Sequence, residues 1–386
     1  MEHQFGKAYY CGILFFTALL SSAAAAEHPA AIYGDLPDAK HAWAVHDWNR
    51  PKPSRVAVDA KGVPSDAIVL FDGSQESFDR NWRTEKRTRA WKVEDGAMKV
   101  TPVRKNGAAV MTKREFGDCQ LHIEFRHPAS LAGDTERYPQ SRGNSGVFLM
   151  GPRYGYEVQV LESYPTCAEM EGKPGYVNNY TDGQCGSVYA ENPPLVNPLR
   201  PAGEWQKYDI VFHQPVWKDG KLVHPGSITV FLNGVLVQDH WEMEGQTTHL
   251  KRRPLAPHPK TGPLTLQYHG CEVSFRNIWI RPLASRWDNK THSSMSADEA
   301  SVAKLRRETA AKLYAKIKNP DAGDAATVKA LAEVVSYSNE GVYVDKLRSA
   351  AKKFYSSGPR EADKRSVGND LDALVRSGAV PDGIGR

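Results

Sequence analysis

Residues 142–163 read RGNSGVFLMGPRYGYEVQVLES, and the alternation of their side chains decides how the rest of the chain is read. Successive residues of a strand point to opposite faces of its sheet. Asn144–Leu149 is short, apolar-leaning and rich in strand formers, Gly151-Pro152 and Gly155 punctuate it, and Tyr156–Leu161 resumes a strict alternation. This pattern predicts two strands meeting at a turn. In the second strand Tyr156, Val158 and Val160 share one face, while Glu157, Gln159 and Leu161 share the other. One face is therefore core, and the other sets a carboxylate beside an amide. Asn144 and Ser145 lie between two glycines, where a ligand can approach the backbone without meeting a Cβ. The hairpin is expected to be the floor of a ligand site.

Working outward, short strands recur on both sides. IVLFDG at residues 68–73 closes an apolar strand, and Trp82 and Trp91 follow where a sandwich would bury large aromatics. Residues 91–100 form a hairpin around Glu-Asp-Gly, and Asn233-Gly234 is a type I′ turn signal between VFL and VLV. Cys119–Arg126 alternates Leu121, Ile123 and Phe125 against His122, Glu124 and Arg126, a charged row that either faces solvent or meets the polar row of the hairpin. Pro263–His269 places Thr265, Gln267 and His269 opposite Leu264, Leu266 and Tyr268. Val273–Arg281 changes parity after Asn277, which a bulge at Arg276-Asn277 would explain. Residues 214–226 and 240–262 read as polar loops. Residues 163–204 are a long irregular segment whose Tyr164, Tyr176, Tyr180 and Tyr189 favour a structured wall over a site. Short strands without helical periods between them predict an all-β, antiparallel sandwich over 67–284.

The flanks differ. Residues 1–26 carry Lys7, an apolar run and Ala24-Ala25-Ala26, the pattern of an export signal, so the mature protein is expected in a secreted or periplasmic setting with no membrane attachment. Residues 27–66 read as an N-terminal arm, and 285–386 as a small α-helical appendage with helices from Ala297, near Ala325–Tyr337, near Val342–Tyr355 and near Arg365–Arg376. Cys119, Cys167, Cys185 and Cys271 would then lie where disulfides are permitted, with Cys167 and Cys185 close enough in one loop region to be a candidate bridge. The net charge of +5 is spread rather than gathered into a basic stripe, which argues against a nucleic-acid partner. Core packing is the commoner use of the nine Trp and sixteen Tyr, and sugar stacking the other.

Several strings occur in one order: LFDG, WKVEDG, LHIEFR, GNSGVF, YEVQVLES, EWQKYDI, FLNGV, LQYHG and FRNIWIRPL. Together they resemble the 3-keto-disaccharide hydrolase domain family over about residues 67–284, and the resemblance implies a concanavalin A-like jelly roll related to glucanases and lectins. Where that family reads E-x-Q-x-x-D, this chain ends on Glu162. The string is also similar to the E-x-D-x-x-E signature of retaining glucanases, with Gln159 in place of the central carboxylate.

The resemblance implies a secreted hydrolase or lyase acting on a 3-keto-glycoside. A ketone at C3 acidifies the C2 proton, so loss of that proton and of the C1 aglycone, followed by addition of water, gives net hydrolysis. Such chemistry needs a base, a stabiliser for the enolate oxygen and an acid for the departing oxygen. His269 is the first candidate base, with Glu157 the second or the group that orients His269. Arg126, Arg142 and Asn144 are candidates to grip the keto oxygen, and Glu124, Gln159 and Gln267 to bind hydroxyls. Tyr189 is a candidate to stack on, or protonate, the aglycone. No metal or cofactor is expected, although Glu124, Glu157 and His269 could ligate a divalent cation if they converged. An upstream sugar 3-dehydrogenase is the expected functional partner. Two other readings stand beside this one: a lectin-like sugar-binding module, and an ordinary retaining glycosidase using Glu157 and Glu162.

Overall fold

The computed structural model describes residues 34–84, 88–105, 107–284 and 299–384. The expected export signal, and the expected start of the first C-terminal helix at Ala297, lie outside them. The chain divides into two compact units, Lys52–Ser296 and a second made of Met1–Pro51 with Ala297–Arg386. The boundary falls inside the stretch read as one N-terminal arm.

The larger unit is a jelly-roll sandwich of two antiparallel sheets. One is eight-stranded, in the order Val235–Glu242, Ser227–Leu232, Gln206–His213, Cys119–Arg126, Ser274–Pro282, Ala97–Val100 and Trp91–Glu94, with Ile68–Phe71 also on Ser274–Pro282. The other is five-stranded, in the order Trp82–Thr84, Val110–Phe116, Gly262–Leu266, Ser145–Leu149 and Tyr156–Val160. Apolar residues from both inner faces fill one core, among them Leu121, Ile123, Phe125, Val147, Val158, Tyr208 and Phe275. Burying each such large side chain contributes about 1.5–3 kcal/mol. Trp82 and Trp91 are buried as expected.

Local chemistry sets the turns. Asn233 (φ 53°) and Gly234 (φ 83°) occupy the left-handed region, as do Asp95 (φ 49°) and Gly96 (φ 71°), so both two-residue hairpins are of the type that matches strand twist. The register along Ser274–Pro282 shifts between Arg276 and Trp279, and Asn277 has φ 47°, so the bulge lies where the change of parity put it. Two segments differ from the sequence reading. A short helix, Gln75–Asn81, is capped by Ser74, which accepts from Ser77 N at 3.0 Å. Within 214–226 a small hairpin pairs Val216–Lys218 with Lys221–His224.

In the other unit the described residues form four helices, Glu299–Tyr314, Ala325–Tyr337, Gly341–Ser356 and Glu361–Arg376, which bury Leu331, Val335, Leu347, Phe354, Val367 and Leu371. Residues 34–51 pack on them: Asn49 Nδ2 donates to Glu333 Oε1 at 2.7 Å, and Trp43 meets Tyr337 edge to face. Residues 52–66 belong to the sandwich, where Arg281 holds Asp66 at 2.7 Å.

Candidate active site

The two expected strands pair, with Val147 facing Val158, Phe148 facing Glu157 and Gly146 facing Gln159. Tyr156, Val158 and Val160 enter the core, so Glu157 and Gln159 point to the opposite face of the five-stranded sheet. On the neighbouring strand Thr265 pairs with Phe148, and Gln267 N donates to Gly146 O at 2.9 Å. Gln267 therefore extends the row of Gln159 and Gly146. The regular strand ends at Leu266, earlier than expected, and the chain beyond it carries His269, which is exposed.

This face floors a hollow of about 710 Å³ lined by Asn144, Phe148, Glu157, Gln159, Gln267 and His269. Tyr138, Gln140, Tyr180, Tyr189 and residues Thr247, Thr248, His249 and Leu250 complete the wall. A smaller cavity of about 200 Å³ adjoins it and shares Tyr189 and Thr248.

Backbone pairing explains how the long 163–204 segment becomes a wall. The strand Tyr156–Val160 is the last of its sheet, and an open edge exposes unpaired amides and carbonyls. The segment satisfies them: Gln159 N donates to Ser187 O, Gly186 N to Gln159 O, and Tyr189 N to Glu157 O, each at 3.1 Å. Buried Gln238 holds it from the other side, donating to Gly186 O at 2.9 Å. Tyr189 is thus tied to the backbone of Glu157 itself. Thr247 is tied there too, its Oγ1 accepting from Glu157 N at 2.9 Å.

Glu157 is 3% exposed, and burial pushes its carboxyl up to about 8 with no cation to oppose the shift. Gly146 makes room for it, since a Cβ there would run into the carboxyl. The Gln159 amide donates to Gly183 O in one orientation; in the other, which satisfies both ends, it donates to Ser145 O at 2.8 Å and Glu157 Oε1 at 3.3 Å. Gln267 Oε1 and Thr265 Oγ1 are buried without a hydrogen-bond partner among the described residues. Asn144 Nδ2 is engaged with Gln140 O at 2.8 Å. A buried polar atom without a partner is costly, and Gln267 Oε1, on a residue that lines the hollow, suits a hydroxyl-bearing ligand.

Of the residues named from sequence, Asn144, Glu157, Gln159, Tyr189, Gln267 and His269 converge on the hollow. Glu124, Arg126 and Arg142 do not. Glu124 belongs to the eight-stranded sheet, where Arg276 Nε (2.7 Å) and Asn277 Nδ2 (2.9 Å) occupy its oxygens. Arg126 lies over Trp205, its Cζ 4.6 Å from the ring. Arg142 is fully buried, with Nε donating to Glu162 Oε2 at 2.8 Å and Nη2 to Leu131 O at 2.9 Å. Period-two alternation assigns a face within one strand but not which sheet that strand joins, hence the misplacement of Glu124 and Arg126.

Two further corrections follow. Glu162 is paired with Arg142 and absent from the lining of the hollow, so the Glu157–Glu162 pair of a retaining glycosidase is not assembled. The cation set that included Glu124 is likewise dispersed, and no group of three or more His, Cys, Asp or Glu side chains gathers among the described residues in a way that could hold a metal ion. Cys167 and Cys185 are free thiols rather than a bridge; Cys185 is buried, its Sγ 3.0 Å from Tyr208 Oη. Sequence reasoning missed Tyr138, Gln140 and residues 247–250, whose only signal was a polar loop. Of the tyrosines of the wall, Tyr180 and Tyr189 line the hollow and Tyr164 and Tyr176 do not.

Among known proteins, a 3-keto-disaccharide hydrolase of Bacteroides thetaiotaomicron is 25% identical over 258 residues, 58% of this chain and 82% of the relative. The crystal structure of a candidate glycosyl hydrolase from Parabacteroides distasonis superposes with a TM-score of 0.52 at 38% identity, covering 61% of this chain and 94% of that one. A second such structure from the same organism is 22% identical, with a TM-score of 0.37 over 57% of this chain and 94% of its own. Residues 66–281 match the profile of the 3-keto-alpha-glucoside-1,2-lyase-like domain, and the chain belongs to that family.

Proposed function

We propose that the protein is a secreted or periplasmic enzyme that cleaves 3-keto-glycosides by removing the C2 proton, expelling the C1 aglycone and adding water. The observation that carries the reading is the buried Glu157 carboxyl, without a basic partner, on the floor of a polar hollow that His269 also lines. A carboxyl pushed up to about 8 is mostly protonated at neutral pH, so it donates a hydrogen bond rather than repelling an enolate. His269 accepts the C2 proton, while Glu157 steadies the oxygen on which the negative charge develops. Gln159, Gln267 and Asn144 bind the hydroxyls. Water then adds to C1 of the unsaturated ketone, and C2 recovers its proton from His269. The substrate must come from an oxidation at C3, the reaction of a sugar 3-dehydrogenase.

Incubation with a 3-keto-glycoside and its unoxidised parent tests this directly. Release of aglycone from the ketone alone, with deuterium entering C2 in heavy water, is the expected result. Cleavage of the parent at a comparable rate would refute it, and tight binding of both sugars without turnover would identify a lectin-like module.

A further inference from the structure

The departing oxygen needs a proton, and neither His269, which receives one, nor Glu157, which holds the enolate, is free to give it. Tyr189 lines both the main hollow and the smaller cavity beside it, so a glycoside extending from one to the other passes its hydroxyl. That hydroxyl is 3.2 Å from Tyr180 Oη and 2.9 Å from His249 Nδ1, and the Tyr189 and His249 rings lie stacked at 15°. Tyr189 is the only hydrogen-bond partner of Tyr180 Oη among the described residues, and either hydroxyl of the pair can be the donor. Gly183 permits this, because a Cβ there would collide with the Tyr180 ring. A phenol oxygen has two lone pairs and one proton. When Tyr180 and the Nδ1–H tautomer of His249 fill both lone pairs, the Tyr189 proton is left for a ligand.

We infer that Tyr189 is the acid that protonates the aglycone oxygen, and that Tyr180 and His249 are the positioning residues that aim its proton and stabilise the phenolate left behind. The inference rests on the elimination reading above. In the step, the C2–H electron pair becomes the C1=C2 bond, the C1–O bond breaks, and its electron pair stays on the aglycone oxygen, which takes the Tyr189 proton. When water adds, hydroxide equivalent goes to C1 and the remaining proton returns to the Tyr189 phenolate, so the cycle closes without another reactant. Neither Tyr180 nor His249 touches the sugar in this scheme. Both act through the oxygen between them.

The test uses two 3-keto-glycosides with the same sugar, one carrying 4-nitrophenol and one carrying methanol, because only the methoxide needs an acid to leave. Tyr189→Phe is expected to lose ~10²–10³-fold in kcat on the methyl glycoside and less than about threefold on the nitrophenyl one. His249→Ala and Tyr180→Phe are expected to lose roughly tenfold on the methyl glycoside alone, and His249→Asn, which keeps a donor near the Nδ1 position, to restore most of the rate. Equal losses on both substrates would make these residues merely structural and overturn the inference, as would full methyl-glycoside activity in Tyr189→Phe. If the native protein cleaves neither ketone, the elimination reading itself fails and takes this inference with it; cleavage without leaving-group dependence removes the inference alone.

Discussion

Glu124 and Glu157 are both glutamates on strands, both turned away from the sandwich core, and their carboxyls are driven in opposite directions. On the eight-stranded sheet, Glu124 is held down to about 2 by hydrogen bonds from His122, Asn277 and Arg276. His122 is in turn bound to Asp209 at 2.6 Å and stacked on Trp279, so the imidazole and the two carboxylates of this patch satisfy one another. On the five-stranded sheet, Glu157 is buried with no cation opposing the shift, and Gln267 Oε1, on another residue lining the same hollow, has no hydrogen-bond partner among the described residues. A polar row whose members satisfy each other stabilises the fold. One left unsatisfied over a hollow of about 710 Å³ is organised for something that binds there.

The comparison can be broken most sharply at His269. His269→Ala should lower kcat on a 3-keto-glycoside by ~10²–10⁴-fold while circular dichroism and melting stay native, because the residue is exposed. An unchanged rate would remove the base from the scheme. Next in size is Glu157→Gln, for which a loss of roughly 10²-fold in kcat/KM is expected. The native protein should lose activity as pH rises through about 8, where the donor ionises, and the variant should lack that limb. Stability supplies a second readout. The folded carboxyl binds its proton more tightly than its usual 4.5, so its contribution is intact below about 4.5 and is lost as pH rises through about 8. Glu157→Gln should therefore be the more stable protein at pH 9, by on the order of a few kcal/mol, and gain little at pH 4.

Gly146→Ala refines the claim about geometry. Its Cβ would displace the Glu157 carboxyl, and about a 10- to 100-fold fall in kcat/KM is expected with the nitrophenyl and methyl glycosides alike. The smallest effect on turnover belongs to the other sheet. Glu124→Gln should leave kcat unchanged and destabilise the fold by about 1–2 kcal/mol at pH 7, measured by urea unfolding. Because the carboxyl is held low, that stabilisation is present above about 4.5 and fades as pH falls through about 2, so the difference should shrink at pH 3. A large kinetic effect at Glu124 would collapse the distinction between the two faces.

What was legible in the sequence is what short-range periodicity carries. The hairpin of residues 142–163, the Asn233-Gly234 turn and the Asn277 bulge depend on neighbouring residues, and so do the faces of Glu157, Gln159 and Gln267. The family motifs added His269. Tertiary structure alone decided which sheet each strand joined, and so it sent Glu124 to a self-satisfied ion cluster and closed Arg142 onto Glu162. It also brought His249 to Tyr189 across 60 residues of sequence. Alternation along a strand is a local consequence of backbone geometry, whereas the partner across a sheet or a loop is chosen by long-range packing, which leaves no period in the chain to read.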